Sequence, residues 1–259
     1  TDVSALPPEK RRIGLVFQDH ALFPHRRVEQ NISFGLTHLD RAARVRRVDE
    51  LLELVRLPGV GKRYPHELSG GEQQRIALAR ALAPDPAVVL LDEPFASLDP
   101  SLRDEVRTDV IEALRLRNAA AVLVTHDREE ALALGDRVAV MSAGRMLQID
   151  RPDEVYERPS DRFVATFLGE ASFLADPDDP SRAMMARPHD LSLVVEGGGD
   201  DRVVARRYLG AAWRYSVRRA DGTDVDVDLA GGPGSVPLSV GDACTVVVDA
   251  GHPLHRLPA

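Results

Sequence analysis

The chain has 259 residues, enough for two domains at roughly 100 to 200 residues per hydrophobic core. Its 33 Lys and Arg against 41 Asp and Glu leave a formal charge of -8, which offers no general attraction to nucleic acid or anionic lipid, so no nucleic-acid partner is expected. The single cysteine, Cys244, excludes an intrachain disulfide and a cysteine-rich zinc site and suits a reducing cytoplasm, and no apolar run approaches the ~20 residues of a membrane-crossing helix.

Thr1-Asp2-Val3-Ser4 has neither an initiator Met nor the basic-then-apolar pattern of a signal peptide, and reads as the middle of a domain. Ile13 to Phe17 is a β-branched apolar run, a short strand. Within Val28 to Leu57 lies a charged helix whose apolar positions Val45, Val48, Leu51, Leu52 and Val55 recur at three- and four-residue steps. Ser69 precedes a helix through Arg75 to Arg80, Glu72 completes a capping box with it, and Pro84 and Pro86 end the helix. Val88 to Leu91 is a strand. An amphipathic helix from Ser101 follows, with Leu102, Val106, Val110, Ile111 and Leu114 on one face, and then the strand Ala121 to Val124. Strand, helix and strand in this order predict a buried parallel sheet. A helix over Glu129 to Leu134, a strand over Arg137 to Met141 and a turn at Gly144 into Met146 to Gln148 extend an α/β pattern that stops near Gly169.

Asp176-Pro177-Asp178-Asp179-Pro180 is polar and turn-rich. Beyond it every segment reads as a short strand: Leu191 to Val195, Val203 to Leu209, Trp213 to Arg218, Val225 to Leu229 and Thr245 to Val248. Asp221-Gly222 is a hairpin signal, because glycine tolerates the positive φ such turns need. The expected organisation is an α/β domain over 1–169, a linker over 170–182 and a small all-β domain, barrel-like or a sandwich, over 183–259.

Two segments carry chemistry. Val88 to Leu91 runs into Asp92 and Glu93, which places two carboxylates at the carboxyl edge of a parallel sheet, where ligands bind. There Asp92 can hold Mg²⁺, directly or through water, and Glu93 can accept a proton from an attacking water; the plain alternative is an ordinary strand exit. Leu68-Ser69-Gly70-Gly71-Glu72 sets two glycines at a helix start, exposing amides at the positive end of the dipole for a phosphate. The alternative there is a capped helix after a flexible turn.

The order decides between these readings: Gln18 after a strand, Leu68 to Glu72, Leu90 to Glu93, Ser97-Leu98-Asp99, then Val124-Thr125-His126-Asp127. These five motifs in this order resemble the ATP-binding cassette (ABC) ATPases, over about residues 1–169. The resemblance implies a partial P-loop NTPase fold with a helical insert, ATP and Mg²⁺ as cofactors, and ATP hydrolysis as the activity. It makes Gln18 the glutamine that senses Mg²⁺ and the γ-phosphate and signals to membrane subunits. Ser69, Gly70, Gly71 and Glu72 would close in trans on ATP held by a second subunit, a homodimer with two sandwiched nucleotides. Asp92 and Glu93 fall at the metal and base positions, Asp99 in the loop that follows, and His126 at the histidine that contacts the γ-phosphate. Glu72 departs from the family's usual Gln; the helix cap survives the change, and the added carboxylate should have a modest effect.

A phosphate-cradling loop has the form G-x-x-x-x-G-K-[ST], and no segment satisfies it. The nearest, Gly59-Val60-Gly61-Lys62-Arg63, has Arg56 where the first Gly belongs and Arg63 where the hydroxyl belongs. In the resembled family this loop and an adenine-stacking aromatic residue precede the Gln18 segment, so the chain is expected to begin after them. Such a chain should bind ATP poorly, turn it over negligibly alone, and expose unpaired strand edges and apolar faces.

Val16 to His25 and Arg162 to Gly169 are similar to importers with a C-terminal β-rich regulatory domain, which take up ferric iron, polyamines, sugars and some oxyanions. Arg187 to Leu191, Tyr208-Leu209-Gly210 and Val240-Gly241-Asp242 resemble landmarks of that domain, named TOBE, and Gly169 to Leu174 is nearer the ferric-iron branch than the sugar branch. The implied setting is the cytoplasmic face of the cell membrane, under transmembrane permease subunits that contact the insert between about Val28 and Tyr64, with a solute-binding protein engaged indirectly. Two competitors remain at this stage: a soluble cassette protein acting on DNA or ribosomes, and a degenerate, non-catalytic protein whose β domain binds a ligand.

Overall fold

The apolar runs of the first half pair as parallel strands. In the computed structural model, which describes residues 2–195, 199–231, 238–249 and 254–258, β1 (Ile13–Val16) lies beside β2 (Val88–Asp92) and β2 beside β3 (Ala120–Val124). Five helices accompany them: α1 (Val28–Ile32), α2 (Arg41–Leu54), α3 (Gly70–Leu82), α4 (Pro100–Leu116) and α5 (Arg128–Leu134). All lie in the compact unit Thr1–Leu134.

Helix α3 is built as its sequence dictates. The Ser69 hydroxyl accepts from the Glu72 amide at 3.3 Å, the Glu72 carboxylate accepts from the Ser69 amide at 2.8 Å, and Ile76, Leu78 and Leu82 are buried. Gly14 has a reason to be glycine, since a Cβ there would sit 2.8 Å from the Ala81 carbonyl oxygen where β1 crosses α3. Val48, Leu51, Leu52 and Val55 of the insert are buried as expected, but Val45 is exposed. In α4, Val106, Val110 and Leu114 are buried, whereas Leu102 is exposed. The segment 59–63 follows α2 and no strand; Gly59 is left-handed at φ 80 and Val60–Lys62 form a 3-10 turn, which agrees with its rejection as a phosphate loop.

The expected buried sheet is corrected in one respect. Ile13, Leu15, Val122 and Val124 are exposed, because three strands are paired and the helices cover the face that carries Val16, Val89 and Leu91.

The second compact unit spans Gly135–Ala259. It opens with the hairpin β4 (Val138–Ser142) and β5 (Arg145–Asp150), turned at Gly144 with φ 74, and the helices α6 (Pro152–Glu157) and α7 (Arg162–Leu168). β6 (Ser172–Ala175), β7 (Arg182–Ala186) and β13 (His255–Pro258) form a three-stranded antiparallel sheet in the order β13-β7-β6. β8 (Leu191–Val194), β9 (Asp201–Tyr208), β10 (Ala212–Arg218), β11 (Asp224–Ala230) and β12 (Ala243–Val248) form a sheet in the order β11-β10-β9-β12-β8. Their apolar faces enclose Leu191, Val203, Tyr215, Val217, Val225, Val227 and Cys244.

Three expectations change here. The compact division falls after Leu134, not at 169, and in the second unit β4 pairs with β5. The stretch 170–182 is not a plain linker, since Ser172–Ala175 is a strand paired to Arg182–Ala186. The β domain is not a closed barrel: β11 packs near β8, but among the described residues no ladder joins them. Asp221-Gly222 does make the β10–β11 turn, with Gly222 at φ 85.

Candidate functional site

The register of the parallel sheet gathers the candidate residues. Val16 stands opposite Leu91 and Asp92 opposite Val124, so the segments leaving β1, β2 and β3 emerge side by side at the carboxyl edge, the position where α/β sheets bind ligands. Gln18 leaves β1, Asp92 ends β2 with Glu93 next to it, and His126 lies two residues past β3. An open depression of about 550 Å³ is lined by Phe17, Gln18, Asp19, Asp92 and Ser97.

Glu93 is held in an unusual backbone conformation at φ 44, uncommon for a residue with a side chain. Its amide donates to the Val124 carbonyl at 2.9 Å, and its carboxylate Oε2 lies 3.2 Å from His126 Nδ1. The His126 side chain is 73% exposed and that of Glu93 30%, so the pair faces solvent with the imidazole outermost. The loop beneath is rigidly bonded. Thr125 Oγ1 donates to Glu130 Oε2 at 2.5 Å, the Asp127 amide donates to Thr125 Oγ1 at 3.0 Å, and Arg107 donates to Glu130 at 2.7 Å and to Asp127 at 3.1 Å. Burial pushes the Asp127 carboxyl up, but the amides of Glu130 and Glu129, with Arg107 and Arg103, hold it below the usual carboxylate range.

Ser69, Gly70, Gly71 and Glu72 do not line the depression; Ser69 and Gly70 are exposed at the start of α3. This start is seated on the neighbouring helix: a Cβ on Gly71 would lie 3.2 Å from Val106 and one on Gly70 3.8 Å from Leu98. The Glu72 carboxyl sits below its ordinary value, chiefly because the Ser69 amide donates to it. Asp99 is exposed at the N-cap of α4 and makes no side-chain cap bond. The structure therefore brings Gln18, Asp92, Glu93 and His126 to one edge, and places Ser69 to Glu72 and Asp99 as a second set beside paired helix starts.

Among the described residues no group of three His, Cys, Asp or Glu forms a metal cage. The donors present suit Mg²⁺ nonetheless, since that ion takes one or two carboxylates and fills its octahedron with water and phosphate oxygens; Asp92 and Gln18 face a common opening large enough for both.

The sequence reading did not single out Arg80, Arg107, Glu130 or Asn31, which fix these loops. A signal existed for one of them: Arg80 stands alone in Ile76-Ala77-Leu78-Ala79-Arg80-Ala81-Leu82, a run otherwise apolar and buried.

Residues 2–96 match the family model described as ABC transporter, and residues 184–254 match that of the TOBE domain. A spermidine/putrescine import ATP-binding protein of Pseudomonas fluorescens is 54% identical over 174 residues, covering 66% of this chain and 48% of that protein. Its counterpart from Pseudomonas aeruginosa is 39% identical over 268 residues, covering 89% of this chain and 72% of its own length. Other relatives bear sulfate/thiosulfate and Fe(3+) import names. The chain thus spans about half the length of several curated relatives it matches, and more of others. Among solved structures, cbiO1 from Clostridium perfringens, described as part of the ABC transporter complex cbiONQ, superposes with a TM-score of 0.53 at 34% identity, covering 56% of this chain and 59% of that one.

Proposed function

Because this chain belongs to the ABC transporter family, as an import ATP-binding protein with a TOBE domain, we propose that it works as the ATP-binding and hydrolysing subunit of an importer. The observation that carries the reading is the convergence of Gln18, Asp92, Glu93 and His126 at the carboxyl edge of β1, β2 and β3. Asp92 and Gln18 would hold Mg²⁺, which when bound neutralises charge on the phosphate oxygens. Glu93 takes a proton from the attacking water, and His126, 3.2 Å away, orients that carboxylate and reaches the γ-phosphate. Glu93 sits in this strained conformation immediately after β2, with its carboxylate beside His126 and its amide bonded to the Val124 carbonyl.

Ser69, Gly70 and Gly71 of a second copy supply the opposite wall, their amides at the positive end of α3 turned to the phosphates, with Asp99 at the same boundary. The exposure of Ser69, Gly70 and Asp99, all away from the depression of their own chain, supports this trans arrangement. The insert over about 28–64 meets the permease subunits at the cytoplasmic face of the membrane; no helix among the described residues is long and apolar enough to cross it, and the insert presents Phe34, which is 52% exposed. The cargo we propose is a polyamine or ferric iron, import names that some relatives carry while others are named for sulfate/thiosulfate. The 259 residues contain no G-x-x-x-x-G-K-[ST] loop, so the test uses a fusion that places a segment carrying such a loop ahead of Asp2. It should hydrolyse ATP with Mg²⁺, and Glu93→Gln should lower the rate at least about a hundredfold, the contribution of a general base. Hydrolysis unchanged by Glu93→Gln would remove the assignment; uptake of sulfate in place of polyamine or iron by the reconstituted transporter would replace the cargo alone.

A further inference from the structure

The Gln18 loop does not hold its own shape. After β1 the chain turns, with the His20 amide donating to the Phe17 carbonyl at 2.9 Å, and then places two successive non-glycine residues in the left-handed region, His20 at φ 63 and Ala21 at φ 46. Such conformations persist only where surrounding structure over-determines them. Here one side chain does so. Arg80 of α3 donates from Nη2 to the His20 carbonyl at 2.9 Å and from Nη1 to the Ala21 carbonyl at 2.6 Å, a fork closed on the carbonyls of the two strained residues. Its guanidinium also lies 5.7 Å from the Phe23 ring centroid. At the far end Asn31, fully buried, accepts from the Phe23 amide at 2.8 Å and donates to the Phe23 and Arg26 carbonyls at 3.2 and 3.1 Å. Between them the His20 ring is buried against the equally buried Gln74 of α3.

From this geometry we infer that Arg80 is a positioning residue for the reaction: it sets where Gln18 stands relative to Asp92 by clamping the loop backbone onto α3, without touching nucleotide. The same helix begins at Ser69, so the loop that reads one site and the amides offered to the other are carried on one rigid element. This rests on the reading of Gln18 and Asp92 as a metal-facing pair, and it adds a residue that the reading did not contain. A fork is required because two carbonyls must be held at once. Lysine at this position can satisfy one of them, since an ammonium is a point donor where the guanidinium is a planar pair.

The test uses the 259-residue chain with Mn²⁺ as the probe, read by paramagnetic broadening of backbone amide resonances. In the unaltered chain the amides of Gln18 and Asp92 broaden together. In Arg80→Ala, Asp92 still broadens while Gln18 does not, and exchange of the His20 amide accelerates on the order of a hundredfold through loss of two charge-assisted hydrogen bonds. Arg80→Lys, the milder change should Arg80→Ala fail to fold, gives an intermediate response at Gln18 with Asp92 unchanged. Broadening of both amides in Arg80→Ala or Arg80→Lys as in the unaltered chain overturns the inference and leaves the metal reading standing. Broadening of neither in the unaltered chain overturns the metal reading, and the inference with it.

Discussion

Asp109 offers the sharpest test of how the nucleotide-site helices are held. Its carboxylate, 3% exposed, lies 2.7 Å from Arg56 Nη1 and 3.0 Å from Arg75 Nη2, so one buried charge on α4 ties down the end of α2 and the middle of α3. Removing one member of a buried ion pair costs about 3–5 kcal/mol, mostly because the partner is left buried and uncompensated. Two features place this case at the lower end. Arg75, 12% exposed, keeps Glu105 at 3.0 Å, and Arg56, 57% exposed, keeps Glu112 at 2.7 Å. Asp109→Ala should therefore destabilise the first unit by about 3 kcal/mol, which at 3–4 °C per kcal/mol lowers its melting temperature by roughly 10 °C. Asp109→Asn, which keeps the volume and loses the charge, should cost nearly as much and so separate charge from cavity. Helices α2, α3 and α4 dominate the far-ultraviolet dichroism, while the sole tryptophan, Trp213, reports the second unit through its fluorescence. A helix transition within about 1 °C of the unaltered chain in both variants would refute the reasoning.

Three further outcomes follow from the same geometry. The Glu72 carboxyl is depressed by the Ser69 amide; a depressed acid stabilises fully above its ordinary value and loses that contribution as pH falls through the depressed one. Protection of the Ser69 amide from exchange should fall as pH drops below the ordinary glutamate range, and Glu72→Gln, which keeps the cap, should abolish that dependence. Arg187, buried, donates to the carbonyls of Ala165 at 2.8 Å, Glu170 at 3.2 Å and Tyr156 at 2.8 Å and stacks 4.1 Å over the Tyr156 ring. Arg187→Lys should cost the second unit about 2–4 kcal/mol, seen as an earlier Trp213 transition in urea. Phe34 packs 4.8 Å from Phe23 under Arg26, and Phe34→Ala in a reconstituted transporter should reduce uptake while ATP hydrolysis continues; equal loss of both would remove the insert as the permease contact.

What the sequence disclosed and what it withheld have a common physical cause. The cap Ser69 with Glu72 and the acids ending β2 were legible because their signals are local, a few residues apart and independent of the rest of the fold. The strands β6, β7 and β13 were not. Arg182-Ala183-Met184-Met185-Ala186 lacks β-branched residues and His255-Arg256-Leu257-Pro258 contains a proline, so both owe their strand state to pairing with each other. The exposed β3 and Val45 were misjudged because periodicity records which faces are apolar and not what covers them. Arg56 with Asp109, Arg107 with Glu130 and Arg80 with the His20 carbonyl join residues far apart in sequence, and only the folded chain shows those pairings.

The central claim is that Glu93 of one subunit and Ser69 of another complete the same site. In the loop-bearing fusion, Glu93→Gln and Ser69→Arg should each silence a pair made of that variant alone. Mixing the two variants decides the matter: hydrolysis restored in the mixed pair, where one site regains both residues, is the predicted result. A mixture as silent as its parents, although the subunits associate, would place both residues on one chain's own nucleotide and contradict the account.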